Sequence, residues 1–395
     1  MTAIAKAISF SDLHVMARRR LPKLLFDVIE SGVEDEHVLE RNERMLQRHT
    51  LMPRFLVDVQ RCAHAVTVFG KTYGCPIGIA PTGLAGIFRP KAESMLARAA
   101  KEEDVPFILS GACTELLETV TRVDPTRTWY QLYAAKEARI SHDLMRRAAD
   151  CGIETLVLTV DAPVYPKRER DMRNGFGFPP KPPLGVAFEA LQHPRWIARY
   201  FLSGGLPKLE TWASYAPEGA SAADVFAYFR SQSPSIQTWN ELEDFRRRWK
   251  GNLVIKGIQH PSDALRAVDA GVDGIIVSNH GGKALDQGLS SIEALPAVAE
   301  AVGQRAVVMF DSGVRRGADA VIAKCLGAQM TFVGRAPLYG VIAAEEAGVR
   351  RAIAILRDEL QRTLALLGCL DFNSLDASYL SQAPSRSRLS ANDSH

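Results

Sequence analysis

The sequence predicts a closed (β/α)8 TIM barrel, an α/β fold in which eight parallel strands are ringed by helices. Three observations predict it. Eight short β-rich runs recur along the chain, nearly all apolar rather than alternating, as strands buried on both faces must be. Stretches of helical period separate them. No G-x-G-x-x-G follows the first run, although a doubly wound sheet usually carries one there.

In chain order, residues 1–50 read as an amphipathic helical extension that plugs or flanks the barrel. The first strand is PIGIAP (76–81), with the helical KAESMLARAAKEED after it, and the second is PFILSG (106–111). The third, TWYQLY (128–133), precedes KEARISHDLMRRAADCG, and the fourth is ETLVLTVD (154–161). The fifth, NLVIKG (252–257), precedes PSDALRAVDAG; the sixth, GIIVSN (274–279), leads to SSIEALPAVAEAVG. The seventh, AVVMFDSG (306–313), precedes RRGADAVIAKCLG, and the eighth is MTFVGR (330–335). Several helices close on a glycine placed to take the left-handed turn after the last helical residue.

Between strands four and five the rhythm breaks. Residues 174–240, rich in proline, glycine and aromatics, form an insertion on the C-terminal face. Loops this long in a compact domain serve a function or lack order. It reads as a lid, a packed surface excursion, or a contact with a bilayer or neighbouring subunit through Trp196, Tyr200, Phe201 and Trp212. A single domain is thus expected over 10–380, with 381–395 a disordered tail by composition.

Bulk properties exclude several classes. Forty-eight basic against 45 acidic residues, a net charge of +3, give no reason to expect nucleic acid. Six cysteines without C-x-x-C or zinc-like spacing read as reduced core residues, and no metal is expected. Neither a signal-peptide pattern nor a run of 18 apolar residues occurs, so a cytoplasmic, at most membrane-associated, protein is expected.

In such a barrel the active site lies at the C-terminal strand ends. Polar groups stand at all eight: Pro81, Thr82 and Gly83; Ser110; Gln131 and Tyr133; Thr159 and Asp161; Lys256; Ser278 and His280; Asp311, Gly313 and Arg315; Gly334 and Arg335. Arg315 and Arg335, with backbone N–H groups at a helix start, make an anion site where barrel enzymes commonly hold phosphate. Lys256 at the end of an apolar strand needs an anionic partner or a Schiff-base role. His280 can take and return a proton near neutrality, and Asp161, two strands away, can orient it. The glycines after His280 would let backbone approach a ligand.

The blocks LPKLLFDVIESGVEDE, IAPTGLAG, WYQLY, LTVDAP, KRERD, VIKG, SNHGGKALD, DSGVRRG and VGRAPLYG resemble the FMN-dependent L-2-hydroxy-acid oxidases and dehydrogenases, including glycolate oxidase and flavin lactate dehydrogenase. PTGLAG, HPRW and GRAPLYG look most like the mandelate dehydrogenase branch. The resemblance covers about residues 10–380 and implies FMN across the barrel mouth. Pro81, Thr82 and Gly83 would lie by the isoalloxazine, and Ser110, Gln131, Thr159, Lys256 and Ser278 would hydrogen-bond it. Asp311, Ser312, Gly313, Val314 and Arg315, with Gly334 and Arg335, would take ribityl and phosphate. His280 would remove a proton, from the α-hydroxyl as the α-hydrogen passes to flavin N5, or in a carbanion route; Tyr133 would contact substrate and Arg168 its carboxylate. The electron acceptor stays open between oxygen, a quinone and an electron-transfer protein, and a homotetramer is implied.

Two positions depart from the family. Val28 stands where it usually has tyrosine and Lys283 where it has arginine, the groups that clamp the substrate carboxylate. Valine donates no hydrogen bond, and lysine is a point charge rather than a planar fork. Each hydrogen bond to a charged group is worth about 1.5–3 kcal/mol, so a bulkier, aromatic, carboxyl-modified or amine-bearing substrate is expected. The same residues also allow two rivals: a flavin-free barrel lyase using Lys256, and a flavin-binding protein with lost or diverged activity.

Overall fold

The computed structural model describes residues 3–177, 180–233 and 235–381. Its ten strands are β1 (Val66–Val68), β2 (Lys71–Tyr73), β3 (Ile77–Ile79), β4 (Phe107–Leu109), β5 (Thr128–Leu132), β6 (Thr155–Thr159), β7 (Asn252–Ile258), β8 (Gly274–Val277), β9 (Val307–Phe310) and β10 (Met330–Val333). The last eight, β3 to β10, close into a parallel barrel in chain order, β10 pairing with β3. All eight expected strands are present. The bilateral burial inferred from their composition holds, since β3 to β6 and β8 are buried at every residue.

Helices join successive strands, among them Ala92–Glu102, Ala138–Asp150, Pro261–Asp269, Ser291–Val302 and Gly317–Cys325. The chain from Arg335 to Leu367 is helical but breaks at Ala344 and Glu345, where Glu345 takes φ 56°.

The N-terminal end is closed by a feature the sequence did not advertise. The β1–β2 hairpin brings Phe69 against Trp129 (centroids 5.7 Å), and Trp129 meets Phe332 at 5.4 Å. The Trp129 indole N–H donates to the Tyr73 hydroxyl (3.2 Å). Phe332 has room only because its β10–β3 partner is Gly78, where a Cβ would come within 2.6 Å of the ring. Large and small residues interdigitate here as a filled barrel needs.

The N-terminal extension flanks the opposite end. Helices Phe10–Arg18, Lys23–Glu30 and His37–Gln47 are in place. The first starts on a capping box, Ser9 with Asp12. The third is tied to the strand ends by a reciprocal amide pair, Asn42 with Asn279 (2.9 and 2.7 Å). A bidentate Arg41–Glu293 pair (2.7 and 2.8 Å) adds to this.

The insertion is helical and divides in two. Helices Glu210–Ala213 and Ala222–Gln232 pack onto the barrel through Leu209, Trp212, Val225, Phe226 and Phe229. Helices Leu184–Ala190 and Pro194–Leu202 have no buried residue. This corrects the expectation for Trp212. It is fully buried, with its indole N–H on the Gly111 carbonyl (2.7 Å), so it meets neither bilayer nor neighbour. Trp196 stacks on Tyr200 (5.2 Å), and Phe201 is 71% exposed. Among the described residues, no helix is long and apolar enough to cross a membrane. Of the tail expected over 381–395, residues 382–395 lie outside the described residues.

Candidate active site

His280 leaves β8 with φ 61°, a left-handed conformation that a non-glycine residue adopts only when its surroundings impose it. Its backbone N–H donates to Ser278 Oγ (3.1 Å), its Nδ1 lies 2.9 Å from Asp161 Oδ1, and its Nε2 lies 3.1 Å from the Tyr133 hydroxyl. Pairing Nδ1–H with the carboxylate leaves the Nε2 lone pair to accept from Tyr133 or from another proton donor. Burial alone would raise the Asp161 carboxyl. His280 and then Lys256 outweigh it, so Asp161 sits below the usual carboxylate range and stays ionised. Asp161 reaches this position because residue 257 is glycine. At φ +106° a side chain there would come 2.5 Å from the Asp161 Cβ.

Of the two glycines after His280, Gly282 makes room for the protein's own backbone. A Cβ on Gly282 would lie 2.8 Å from Leu39 Cα, and one on Gly313 2.8 Å from the Asn42 carbonyl. What approaches closely is helix His37–Gln47. Asp286, from the same SNHGGKALD block, caps that helix region, accepting from the N–H groups of Val38 (3.1 Å) and Asp35 (3.2 Å).

Deeper in the mouth, Lys256 Nζ bonds Ser278 Oγ (2.7 Å) and pairs with Asp311 (3.0 Å). That anionic partner argues against the lyase rival, because a Schiff-base lysine works as the neutral amine. Gln131 Oε1 accepts from Ser110 Oγ (3.2 Å) and the Gly111 N–H (3.1 Å). Its amide nitrogen and the Thr159 hydroxyl, at the ends of neighbouring strands β5 and β6, are buried with no partner among the described residues. Buried donors left unsatisfied cost free energy and call for an explanation. A planar group rich in acceptors, held between Ser110, Gln131, Thr159, Lys256 and Ser278, supplies one; these residues fit an isoalloxazine. Thr82 closes the ring of outlets, lying in van der Waals range of the space over Gly334.

The phosphate corner is only partly as expected. The N–H groups of Arg315 (2.7 Å) and Arg316 (2.9 Å) are taken by Asp319, and that of Gly317 by Glu359 (2.8 Å). The backbone donors of residues 315–317 that lead into helix Gly317–Cys325 are therefore already engaged. The start of helix Arg335–Leu367 does fit, since Gly334 brings no side-chain cap to it. The Arg315 guanidinium meets Glu43 (2.7 Å) and lies 4.7 Å from the Phe10 ring. Ser312, at φ 84°, is spent on the His280 loop: its Oγ accepts from the Gly281 N–H (3.0 Å) and donates to Asp311 (2.8 Å).

Three cations converge on the C-terminal end of helix Lys23–Glu30. The Val28 carbonyl accepts from Arg168 (2.7 Å) and from Lys283 (2.9 Å). Ile29 accepts from Lys283 (3.3 Å) and Arg335 (3.1 Å), and Glu30 from Arg335 (3.4 Å). Helix ends expose unpaired carbonyls and a partial negative charge, so cations stabilise them. The crowding has a cost. Burial first, then Arg168 and Arg335, holds Lys283 well below the usual lysine range, and burial brings Arg335 down to about 10. Arg168 is further fixed by Asp171 (2.8 Å) and Ser31 (3.0 Å), which bond each other at 2.9 Å. Neither partner was identified from sequence. The i,i+3 spacing of Arg168 and Asp171 was a usable signal for one. Ser31 carried none.

An imidazole between a carboxylate and a phenol, facing strand ends that fit a flavin, defines a barrel oxidoreductase in which a base takes a substrate proton while the flavin takes two electrons. Comparison narrows this. The family model for FMN-dependent dehydrogenases matches residues 17–382. An L-lactate dehydrogenase of Caulobacter vibrioides is 38% identical over 375 residues, 95% of this chain and 97% of that protein. The (S)-mandelate dehydrogenase of Pseudomonas putida is 37% identical over 370 residues, 93% and 92% of the two chains. A crystal structure described as monotopic membrane protein (S)-mandelate dehydrogenase superposes with TM-score 0.91 at 36% identity, covering 96% of this chain and all of that one. The chain belongs to the FMN-dependent dehydrogenases.

Proposed function

We propose that this flavoenzyme oxidises a 2-hydroxy acid, or a bulky, aromatic or carboxyl-modified relative of one, to the 2-oxo product, with His280 as the base. The observation that carries it is the Asp161–His280–Tyr133 line beside the unpartnered Gln131 and Thr159 donors. Asp161 holds Nδ1–H and stabilises the imidazolium once Nε2 has taken the substrate hydroxyl proton. Tyr133 positions the hydroxyl. Bound FMN supplies the two-electron acceptor for the α-hydrogen. Lys256 brings positive charge to the strand ends where a ring bound there would gain electrons. Gly334 and Arg335 receive the phosphate.

The substrate's third substituent would meet Arg168 and Lys283. Both are already engaged with helix carbonyls in place of the missing planar fork, and Val28 offers no hydroxyl. This supports a substrate whose carboxyl is modified or held loosely. Anaerobic mixing with lactate, glycolate, mandelate, mandelate esters and mandelamide, watching the flavin absorbance bleach, tests the reading. Mandelate esters or mandelamide should bleach it fastest. Equal bleaching by glycolate would defeat the substrate preference, and no bleaching by any would favour the flavin-binding protein without turnover.

We further propose peripheral membrane association through residues 184–202. Exposed apolar side chains there support this, as does likeness to a structure described as monotopic. A homotetramer completes the assembly implied by the family.

A further inference from the structure

Beside the exposed half of the insertion lies a cleft of about 1070 Å³ that the proposed chemistry does not use. It runs between helix Pro194–Leu202, the turn after helix Phe10–Arg18, the segment after β3 and the break at Ala344 and Glu345. Its lining is strongly cationic, with seven arginines and lysines against three glutamates. One cation is cancelled, Arg89 pairing with Glu345. Arg19, Arg20, Lys91, Arg195, Arg199 and Lys208 have no ion-pair partner among the described residues. They come from four separate segments, so helix periodicity does not explain their convergence. Arg20 is held below the usual arginine range by burial first, then by Arg199 and Arg195. The fold thus sets like charges against one another, which costs free energy unless an anion joins them. Trp196 and Tyr200, stacked at 5.2 Å, form an aromatic wall.

The same part of the insertion carries a row of apolar side chains outside the cleft. Leu184 is 79% exposed, Phe188 67%, Leu191 64%, Phe201 71% and Leu202 87%. Apolar groups exposed in this number mark an interaction surface. A cationic, aromatic-walled cleft at their margin is the pattern of an interfacial segment on an anionic bilayer.

We propose that this cleft receives the phosphate of an anionic phospholipid headgroup while Phe188, Leu191, Phe201 and Leu202 enter the acyl boundary. This deepens the proposed membrane association and rests on it. A bilayer is favoured over a soluble anion because helix Pro194–Leu202 carries both cleft cations and exposed apolar residues.

The test is co-sedimentation of the holoenzyme with phosphatidylcholine vesicles, with and without phosphatidylglycerol. The wild type is compared with R20Q/R195Q/R199Q and with a control, R247Q/R248Q/R305Q, which removes three charges near the opposite end of the barrel. The anionic vesicles should bind wild type about tenfold better. The cleft variant should lose that preference while keeping its turnover of soluble substrate, and the control should keep it. A preference that survives in the cleft variant, or falls equally in the control, overturns the proposal. Equal binding to both vesicles overturns it and leaves membrane association standing. Binding to neither overturns both. Inorganic phosphate at constant ionic strength should compete weakly; full displacement would assign the cleft to a soluble anion and overturn the lipid.

Discussion

The two halves of the barrel mouth handle their polar groups in opposite ways. On the side of β5, β6 and β8, Gln131, Thr159 and His280 keep an amide nitrogen, a hydroxyl and a ring nitrogen that backbone does not claim. Beside helix Lys23–Glu30, Arg168, Lys283 and Arg335 all donate to the last carbonyls of that helix. The first half holds two donors and a proton acceptor in reserve for a ligand; the second spends its cations on closing a helix. An incoming carboxylate must compete with those carbonyls, whereas a proton donor reaching His280 competes only with Tyr133. Chemistry and substrate choice are therefore separable in this molecule, and substitutions can show it.

The largest effect is expected at His280. H280Q should lower kcat by about 10²–10⁴-fold, the range for loss of a positioned general base, with flavin content unchanged. A loss under tenfold in stopped-flow flavin reduction would remove His280 from the proton transfer. D161N comes next, at about 10²-fold, because Asp161 acts through His280. A purely structural role would cost stability alone. Positioning predicts in addition that kcat falls while KM and flavin content stay near the wild-type values. A loss seen only in flavin content or folding would make Asp161 structural.

Legibility from sequence follows the same division. The strands could be read because burial on both faces leaves nearly continuous apolar runs, and their outlets because a polar residue ending such a run is conspicuous. His280, Asp161, Lys256 and Asp311 are legible this way; the Asp161–His280 contact of 2.9 Å matches a pairing read from sequence, whereas the sequence does not name Asp311 as the anionic partner of Lys256, 3.0 Å away. What escaped was contact between distant segments. Gly282 and Gly313 look like ligand-approach glycines, yet helix His37–Gln47 fills the space they leave. Trp212 looks like a surface aromatic, yet a carbonyl from the loop after β4 takes its buried indole N–H. The free amides expected before helix Gly317–Cys325 are consumed by Asp319, four residues on from Arg315, and by Glu359 from another helix. Hydrophobic periodicity records which face of an element is buried, not what buries it.

The cation half gives the third prediction. V28Y/K283R restores a phenol and a planar fork. If the present residues bias the enzyme away from small hydroxy acids, kcat/KM for lactate should rise by about 10–100-fold, the equivalent of one or two charged hydrogen bonds. Turnover of mandelate esters should fall or hold. Steady-state assays of both substrates decide it, and an unchanged lactate value would place the selectivity elsewhere.

The smallest expected effect concerns Glu93, a buried acid outside the mouth, bonded but not neutralised. Thr114 donates to it through N–H (2.8 Å) and hydroxyl (2.9 Å), yet no cation pairs with it among the described residues, and Glu115 is near. Burial, with Glu115 adding to it, raises its pKa from 4.5 to about 7 despite the Thr114 bonds. A carboxyl raised on folding binds its proton more tightly in the native state. Its contribution to stability is then full below about pH 4.5 and is lost as pH climbs through 7. The E93Q substitution would keep an acceptor for Thr114 and carry no such penalty. From pH 5 to 8 the wild type should lose about 1–3 kcal/mol more stability than E93Q, by urea denaturation at each pH. Parallel curves would mean that Glu93 ionises at no cost. A divergence confined to stability, with the two kcat/KM profiles superimposing, would separate the pH response of the scaffold from that of the Asp161–His280 pair.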